Sequence, residues 1–262
     1  MIPGRGRRAR SILAGLAAGL LLAHPSWGKA TPEPEPFRVP VDSLVGRTNT
    51  VALVPTETPR DVPGSASAGE EFMRSTTERL IAAGFAIVPA ESVRAIWKEA
   101  GQAEGGMFDP RTGRRDPVRF ERIRARAARV LREHYRTDVC LKLAIVVVSA
   151  EFESGEARWD GVTRDVGGAG ILNFLVTGVP EGRLPALSLA VDVEEPEGRS
   201  LYHRQAGLQT LSRADNKLTE IGYPQGRFGD EAVKTFALDR ALGPWIEQVR
   251  PNAAPPSDPS RP

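Results

Sequence analysis

The hydrophobic residues of this chain change period midway, from a mixture of helical and strand spacing to strand spacing alone. In the first half, short runs rich in β-branched residues are separated by segments with an apolar residue every three to four positions. The predicted elements of this half are strands at 50–54, 85–88 and 139–148, and helices at 67–83, 90–100 and 117–136. The alternation of the two element types is typical of an α/β fold.

Local signals predict where these helices begin and end. Ser67 and Glu70 have the spacing of a capping box, in which the serine accepts a bond from a free N–H and the glutamate reaches back. Gly84 and Gly101 are predicted to end the first and second helices, because glycine adopts the left-handed conformation at low cost. Pro117 is predicted to open the third helix.

Strand spacing dominates the second half of the chain. The predicted strands are 158–165, 184–194 and 200–211. Residues 195–198 have the composition of a hairpin turn, and the alternation of aliphatic residues from Leu187 to Val193 predicts one buried face. A last helix is predicted over 230–242, and Pro244 restarts it for one more turn. The predicted fold is a mixed sheet with helices packed on it, in the order β-α-β-α-α-β, an antiparallel strand meander and a C-terminal helix.

The first thirty residues have the pattern of a secretory signal peptide. Four arginines are followed by thirteen apolar or small residues at 11–23, and Gly28 and Ala30 provide a small-residue cleavage site. A bilayer span needs about 20 apolar residues, so a retained membrane helix is the less favoured alternative. No cysteine for a lipid anchor lies near the site. We expect cleavage near Ala30, no permanent membrane span, and a periplasmic or secreted protein.

Proline-rich segments flank one predicted domain. Residues 31–40 alternate proline with acidic residues and are predicted to form an extended linker. Residues 251–262 hold five prolines and no large apolar side chain, which predicts a disordered tail. Residues 41–250 contain neither a repeat nor a long internal linker, so we predict a single α/β domain there.

Charge and cysteine content narrow the range of functions. The first thirty residues hold five of the 35 basic residues and none of the 33 acidic ones, so the mature chain is slightly acidic. The pI of about 8.9 therefore describes the whole chain, and nucleic-acid binding is not expected. Cys140, the single cysteine, lies in an apolar run and is predicted to be an inert core residue.

Several stretches resemble a group of known envelope proteins. They are the first strand at 51–55, the passage from helix to strand at 80–85, the same passage at 135–141, and the paired strands at 188–193 and 197–202. These stretches are similar to the α/β domain shared by the curli secretion channel subunit, the lipoprotein activators of penicillin-binding proteins and the N-terminal domain of the Tol-system propeller protein. The resemblance implies a binding or assembly component rather than an enzyme, and it supplies no site residues. The chain lacks the lipidated cysteine of the lipoproteins and the length of the propeller.

The sequence lacks the spacings that mark common catalytic sites. It contains no G-x-S-x-G elbow, H-E-x-x-H pair or Walker loop, and His134 and His203 are interpreted as surface or structurally bonded residues. We therefore predict no metal and no cofactor, and favour a non-catalytic envelope protein. The alternative is a periplasmic hydrolase that uses a pair of acidic residues in the second half of the chain. The candidates are Glu151, Glu153, Glu156, Asp160 and Asp165.

The loop at 105–116 and the helix after it form the first candidate binding surface. Arg111, Arg114 and Arg115 can make bidentate bonds to phosphate or carboxylate, and Phe108 can add an apolar anchor. From Arg111 to Arg136 the chain has ten arginines and three acidic residues. The expected partner is an anionic envelope component or an acidic protein. In the alternative, the arginines are only solvated and Phe108 packs on Phe120.

Trp159 and Asp160 form the second candidate, at a predicted strand and turn. If it is exposed, the tryptophan is a binding platform, and if it is buried, it belongs to the core. The core interpretation is favoured. The sequence gives no prediction of the oligomeric state.

Overall fold

Seven strands and five α-helices form the described parts of the chain, with helices and strands mixed in the first half and strands predominating from residue 139 to 210. The computed structural model describes residues 34–153, 156–166, 181–211 and 228–251, and a compact unit begins at Glu35. The strands are β1 (Thr50–Glu57), β2 (Ala86–Val88), β3 (Val139–Glu153), β4 (Glu156–Trp159), β5 (Val162–Asp165), β6 (Glu181–Glu194) and β7 (Ser200–Thr210). The helices are α1 (Ser65–Ala82), α2 (Ala90–Ala103), α3 (Pro117–Tyr135), α4 (Glu231–Ala241) and α5 (Gly243–Val249).

These strands form one mixed sheet, which confirms the predicted fold class. β1 lies parallel to both β2 and β3, whereas β6 and β7 continue the sheet on the other side of β3 in antiparallel order. The predicted hairpin turn at 195–198 joins β6 to β7, with Gly198 N–H bonded to the Glu195 carbonyl at 2.7 Å. Helices pack on both faces of the sheet, so the architecture has three layers.

β3 is a long strand that changes neighbour along its length. Its first residues pair with β1, as in the register Val51↔Val139, and its last residues pair with β4, as in Glu151↔Arg158. On its other side, β6 pairs with it over the whole length. β3 therefore joins the parallel half of the sheet to the β4–β5 hairpin.

Helices α1, α4 and α5 pack on one face of the sheet, which we call the aromatic face. Phe72, Phe85, Tyr202 and Trp245 are all buried there. The rings of Phe85 and Trp245 stack with centroids 5.2 Å apart, and Tyr202 Oη donates a 2.6 Å hydrogen bond to the Ala241 carbonyl. These contacts fix α4 and α5 against the sheet.

Helices α2 and α3 pack on the opposite face, which we call the aliphatic face. Ile123, Ala127 and Leu131 of α3 are buried against Ala52 of β1 and Cys140 of β3. Burial raises the pKa of the Cys140 thiol to about 12, so the reactive thiolate is absent at neutral pH. The predicted apolar face of α3 and the buried cysteine are both confirmed.

Three predictions of local structure were wrong. α1 begins at Ser65 after the positive φ of Gly64, so Ser67 lies inside the helix and makes no capping bond. Gly101 lies within α2, which runs on to Ala103. The single strand predicted at 158–165 is a hairpin, because Asp160 and Gly161 both have positive φ and reverse the chain between β4 and β5. By contrast, Gly84 ends α1 as predicted, with a φ of 82°.

Part of the predicted linker at 31–40 is attached to the sheet. Arg38 N–H donates to the Leu201 carbonyl and His203 N–H donates to the Pro36 carbonyl, both at 2.9 Å. Phe37 packs edge-on against Tyr202, with ring centroids 4.9 Å apart. Residues 36–39, here called the arm, therefore border the outer edge of β7.

The predicted signal peptide at 1–30 and nearly all of the predicted tail at 251–262 lie outside the described residues. Of the helices that are described, none is long and apolar enough to cross a membrane.

Candidate binding surface

The loop before α3 is a short hairpin rather than an irregular connection. Asp109 N–H bonds to the Arg114 carbonyl at 2.8 Å, and Asp116 N–H bonds to the Met107 carbonyl at 2.9 Å. At the tip, the Asp109 carboxylate accepts a 2.8 Å bond from Arg111 N–H, and Gly113 takes a positive φ. The hairpin therefore gives this part of the chain a defined backbone conformation.

Phe108 and Arg115 lie opposite each other on this hairpin. The Arg115 guanidinium sits over the Phe120 ring, 3.3 Å from its centroid, and Phe120 in turn lies beside Trp97 at 6.0 Å. Phe108 remains 54% exposed. The group that lies over the Phe120 ring is therefore Arg115, and the alternative in which Phe108 packs on that ring is not favoured by the exposure of Phe108. Arg115 therefore makes a cation–π contact within the protein, whereas the sequence predicted that it binds an anion.

Asp116 connects the hairpin to α3. Its carboxylate accepts bonds from Val118 N–H at 3.0 Å and Arg119 N–H at 3.1 Å, which satisfies two of the free amides at the helix start. Pro117 occupies the first turn, as predicted. One aspartate therefore fixes the direction in which α3 leaves the hairpin.

Four of the arginines on α3 are in ion pairs. The pairs are Arg119–Asp116, Arg122–Glu104, Arg124–Glu121 and Arg132–Glu197. The last joins α3 to the β6–β7 turn through two bonds of 2.5 and 2.6 Å, which raise the pKa of Arg132 and hold the pKa of Glu197 below its ordinary value. These four residues have a structural role.

The other arginines are exposed and make no ion pair with any residue that the structure describes. They are Arg111 and Arg114 on the hairpin, Arg126 and Arg129 on α3, and Arg136 at its end. Val118, on the first turn of α3, is 64% exposed. We call the combination of Phe108, Arg111, Arg114, Val118, Arg126 and Arg129 the basic surface. It combines several exposed guanidinium groups with two exposed apolar side chains.

Trp159 and Asp160 do not belong to an exposed site. Trp159 is buried in a small cluster under the β4–β5 hairpin, and its indole N–H donates a 3.0 Å bond to the Leu187 carbonyl. The Asp160 carboxylate accepts a 2.5 Å bond from Ser188 Oγ. Both residues anchor the hairpin to β6, which supports the core interpretation of the tryptophan.

The acidic residues of the hydrolase alternative lie along strand surfaces. Glu153 is opposite Glu156 in the sheet register, and Glu156 is opposite Asp165. Glu156 forms an ion pair with Arg158 at 2.8 Å. The arrangement gives no observation that favours hydrolysis over a charged strand surface.

His203 lies on the aliphatic face of the sheet beside Asp192. Its Nδ1 is 2.6 Å from the Asp192 carboxylate, on the adjacent strand. This contact fits the interpretation of a structurally bonded histidine. Within the described ranges, no three His, Cys, Asp or Glu side chains gather where they could hold a metal ion.

A cavity of about 610 Å³ between α1 and the start of α2 was not predicted from the sequence. Its walls include Thr56 of β1, Thr58 just after that strand, Arg74 from α1 and Arg94 from α2. These residues are far apart in the chain and share no motif, so no sequence signal could have grouped them. The cavity brings together two basic residues, but it also includes Glu70 and Glu91, which leaves its lining without net charge.

Comparisons with known proteins give only distant similarities. No family model and no curated protein matches the sequence. Among solved structures, the lipoprotein GNA1162 of Neisseria meningitidis is similar at 14% identity and a TM-score of 0.31, over 65% of this chain and 88% of that one. PelC of Paraburkholderia phytofirmans, solved as a dodecamer, is similar at 16% identity and a TM-score of 0.34, over 79% and 92%.

A third structure is a homologue of a neuraminyllactose-binding hemagglutinin from Helicobacter pylori. It is 12% identical, with a TM-score of 0.26 over 77% of this chain and 79% of that one. All three scores are too low to carry an argument about function. The resemblance to the three envelope families therefore stays a prediction.

Proposed function

We propose that this protein is an exported, non-catalytic binding or assembly component of the cell envelope, which holds an anionic partner on its basic surface. The observation that carries the proposal is the set of exposed arginines on the hairpin and α3 that form no ion pair within the described residues. Guanidinium groups bond phosphate and carboxylate with two parallel hydrogen bonds, so several on one surface favour an anion strongly.

The contacts that attach α3 to the rest of the fold do not use these arginines. α3 is attached to the sheet by Ile123, Ala127 and Leu131, and its ion pairs use other arginines. Exposed ion pairs contribute about 1 kcal/mol or less, so a fold gains little from keeping so many arginines on one helix. Binding accounts for the charge segregation better than stability does.

The experiment uses Arg111→Ala/Arg114→Ala in the full chain. Binding of the purified protein to an isolated envelope fraction is measured by sedimentation at low and high salt. We expect the wild type to bind at low salt and the double variant to bind severalfold less, because each exposed guanidinium loses its contact with the anion.

The matched control is Arg60→Ala/Arg94→Ala, which removes two other exposed arginines outside the basic surface. It should bind as the wild type does. If the hairpin variant and the control bind equally, the basic surface is not the binding site and the proposal is wrong. Turnover of an envelope polymer that is lost in Glu153→Gln, whose side chain is exposed, would instead support the hydrolase alternative.

A further inference from the structure

We propose that the anionic partner is the headgroup layer of a membrane that contains anionic phospholipid, and that Phe108 and Val118 insert among its headgroups. This inference rests on the proposed function, because it names the partner of the same basic surface. Its first support is the exposure of these two side chains. Among the described large apolar residues, only Val118, Ile81 and Phe108 are more than half exposed, at 64%, 59% and 54%.

The position of these two apolar side chains distinguishes them from Ile81. Phe108 is on the same hairpin as Arg111 and Arg114, and Val118 is on the same helix as Arg126 and Arg129. A surface that combines exposed apolar side chains with arginines suits the boundary between headgroups and acyl chains. Ile81 lies near the end of α1, on the opposite face of the sheet.

The shape of the surface favours a membrane over a peptide. Val118, Arg122, Ala125 and Arg129 follow one line along α3, at the spacing of successive helix turns. The outer side of a helix is convex, and the depression beside Val118 is shallow and open, lined by Pro117, Glu121, Arg122 and Ala125. A bound peptide strand or helix needs a groove or a free sheet edge, whereas a bilayer needs only an outward-facing surface.

The rigidity of the hairpin adds to the argument. Two backbone hydrogen bonds flank Phe108. Asp109 N–H donates to the Arg114 carbonyl, and Asp116 N–H donates to the Met107 carbonyl. Its partner across the hairpin, Arg115, is held on Phe120. The backbone that carries the phenyl ring is therefore already ordered before binding, which lowers the ordering cost.

The test measures sedimentation of the purified full chain with vesicles. One set contains phosphatidylethanolamine and phosphatidylglycerol, and the other contains phosphatidylcholine alone. We expect binding to the first set only, with a loss at high salt. Arg111→Ala/Arg114→Ala should lower the partition coefficient by about five-fold for each arginine, since each contributes about 1 kcal/mol near an anionic surface.

Phe108→Ser separates lipid insertion from simple charge attraction, and Ile81→Ser is its matched control. Phe108→Ser should weaken vesicle binding severalfold, whereas Ile81→Ser should bind as the wild type does. Circular dichroism checks that both variants are folded. If Phe108→Ser unfolds, Val118→Ser makes the same comparison. Equal binding by all of these variants would overturn the insertion of apolar side chains.

Two further outcomes separate this inference from the proposed function. If the envelope fraction still binds the protein but phosphatidylglycerol vesicles do not, and protease treatment of that fraction abolishes binding, the partner is a protein. The lipid inference is then wrong and the proposed function holds. If neither the fraction nor the vesicles bind the protein, both are wrong.

Discussion

The two faces of the sheet are covered by different kinds of side chain. On the aromatic face, Phe85 and Trp245 stack and Tyr202 bonds to the backbone of α4, so large rings fill the space between helices and strands. On the aliphatic face, α3 is attached through smaller residues such as Ile123 and Ala127. Rings bury more area per residue, so deletion of a buried ring on the aromatic face should cost more than deletion of a single smaller side chain on the aliphatic face. The aliphatic face supports a helix whose outer side is available for binding.

The two faces also differ in how exposed their basic side chains are. Lys234 of α4 is buried and bonded to Glu71 of α1 and to Glu231, so its charge holds two helices together. Burial lowers the pKa of Lys234, but the bonds to these two carboxylates outweigh that effect and raise it. On the aliphatic side, by contrast, five exposed arginines on the hairpin, on α3 and at the end of α3 form no ion pair with described residues. Ion pairs join elements on both faces, but exposed arginines that form no ion pair with described residues are gathered on the hairpin and α3.

The largest expected effect comes from Trp245→Ala on the aromatic face. The variant removes a fully buried ring and leaves a cavity beside Phe85, so we expect a loss of about 3–5 kcal/mol in the free energy of unfolding. Urea denaturation followed by circular dichroism measures it. Phe236→Ala is the control, because this ring on α4 is 43% exposed and its removal should cost much less. Equal losses would mean that ring burial does not distinguish the two residues.

A smaller effect is expected from the two aspartates that begin helices on opposite faces. Asp116 caps α3 and Asp230 caps α4, each accepting bonds from two backbone amides. Replacing either with alanine should lower the free energy of unfolding by about 1 kcal/mol, the usual value for such a cap. The same denaturation measurement compares them. A clearly larger loss in Asp116→Ala would show that the hairpin also depends on this residue and that the faces differ in more than their cores.

The smallest expected effect is a change in how stability depends on pH in the acid range. Lys234 lowers the pKa of Glu71 on the aromatic face, and Arg132 lowers that of Glu197 on the aliphatic face. A carboxyl group whose pKa falls on folding stabilises the native state above its unfolded pKa, and this contribution is lost as the pH drops through the folded pKa. Stability should therefore decrease as the pH is lowered below the ordinary glutamate value of 4.5.

Glu71→Gln and Glu197→Gln test the two pairs separately. Each variant should make stability less dependent on pH in the acid range, by less than about 1 kcal/mol because both pairs are partly exposed. Denaturation midpoints at several acid pH values measure the change. If neither substitution alters the pH dependence, these pairs do not couple folding to protonation.

The sequence predicted the elements well where the signal is local. The aliphatic periodicity of α3 and the positive φ of Gly84 follow from neighbouring residues, and both predictions were confirmed. The segment 158–165 was predicted as one strand although a turn was expected beside Trp159, because the residues on both sides of the turn have strand character; only pairing in three dimensions separates β4 from β5. The serine predicted to cap α1 lies inside the helix, since the chain turns earlier at Gly64.

The candidate site was only partly predictable, for the same physical reason. The exposure of Phe108, Arg111 and Arg114 agrees with the loop composition. The ion pair of Arg132 with Glu197 joins residues far apart in the chain, and the position of Arg115 over Phe120 depends on how the hairpin folds back. Which arginines are bonded and which are exposed is therefore a property of the tertiary structure, and periodicity alone does not contain it.

The arm at 36–39 has a consequence for the order of folding. More than half of the chain separates Phe37 from Tyr202, so the arm cannot dock until β7 has been synthesised and paired with β6. Closing such a long loop costs chain entropy, and this cost must be met before the contact stabilises the fold. The contact therefore forms late on the folding pathway. The beginning of the described structure is therefore among the last parts to be fixed, and the edge of β7 stays open to other strands until the arm arrives.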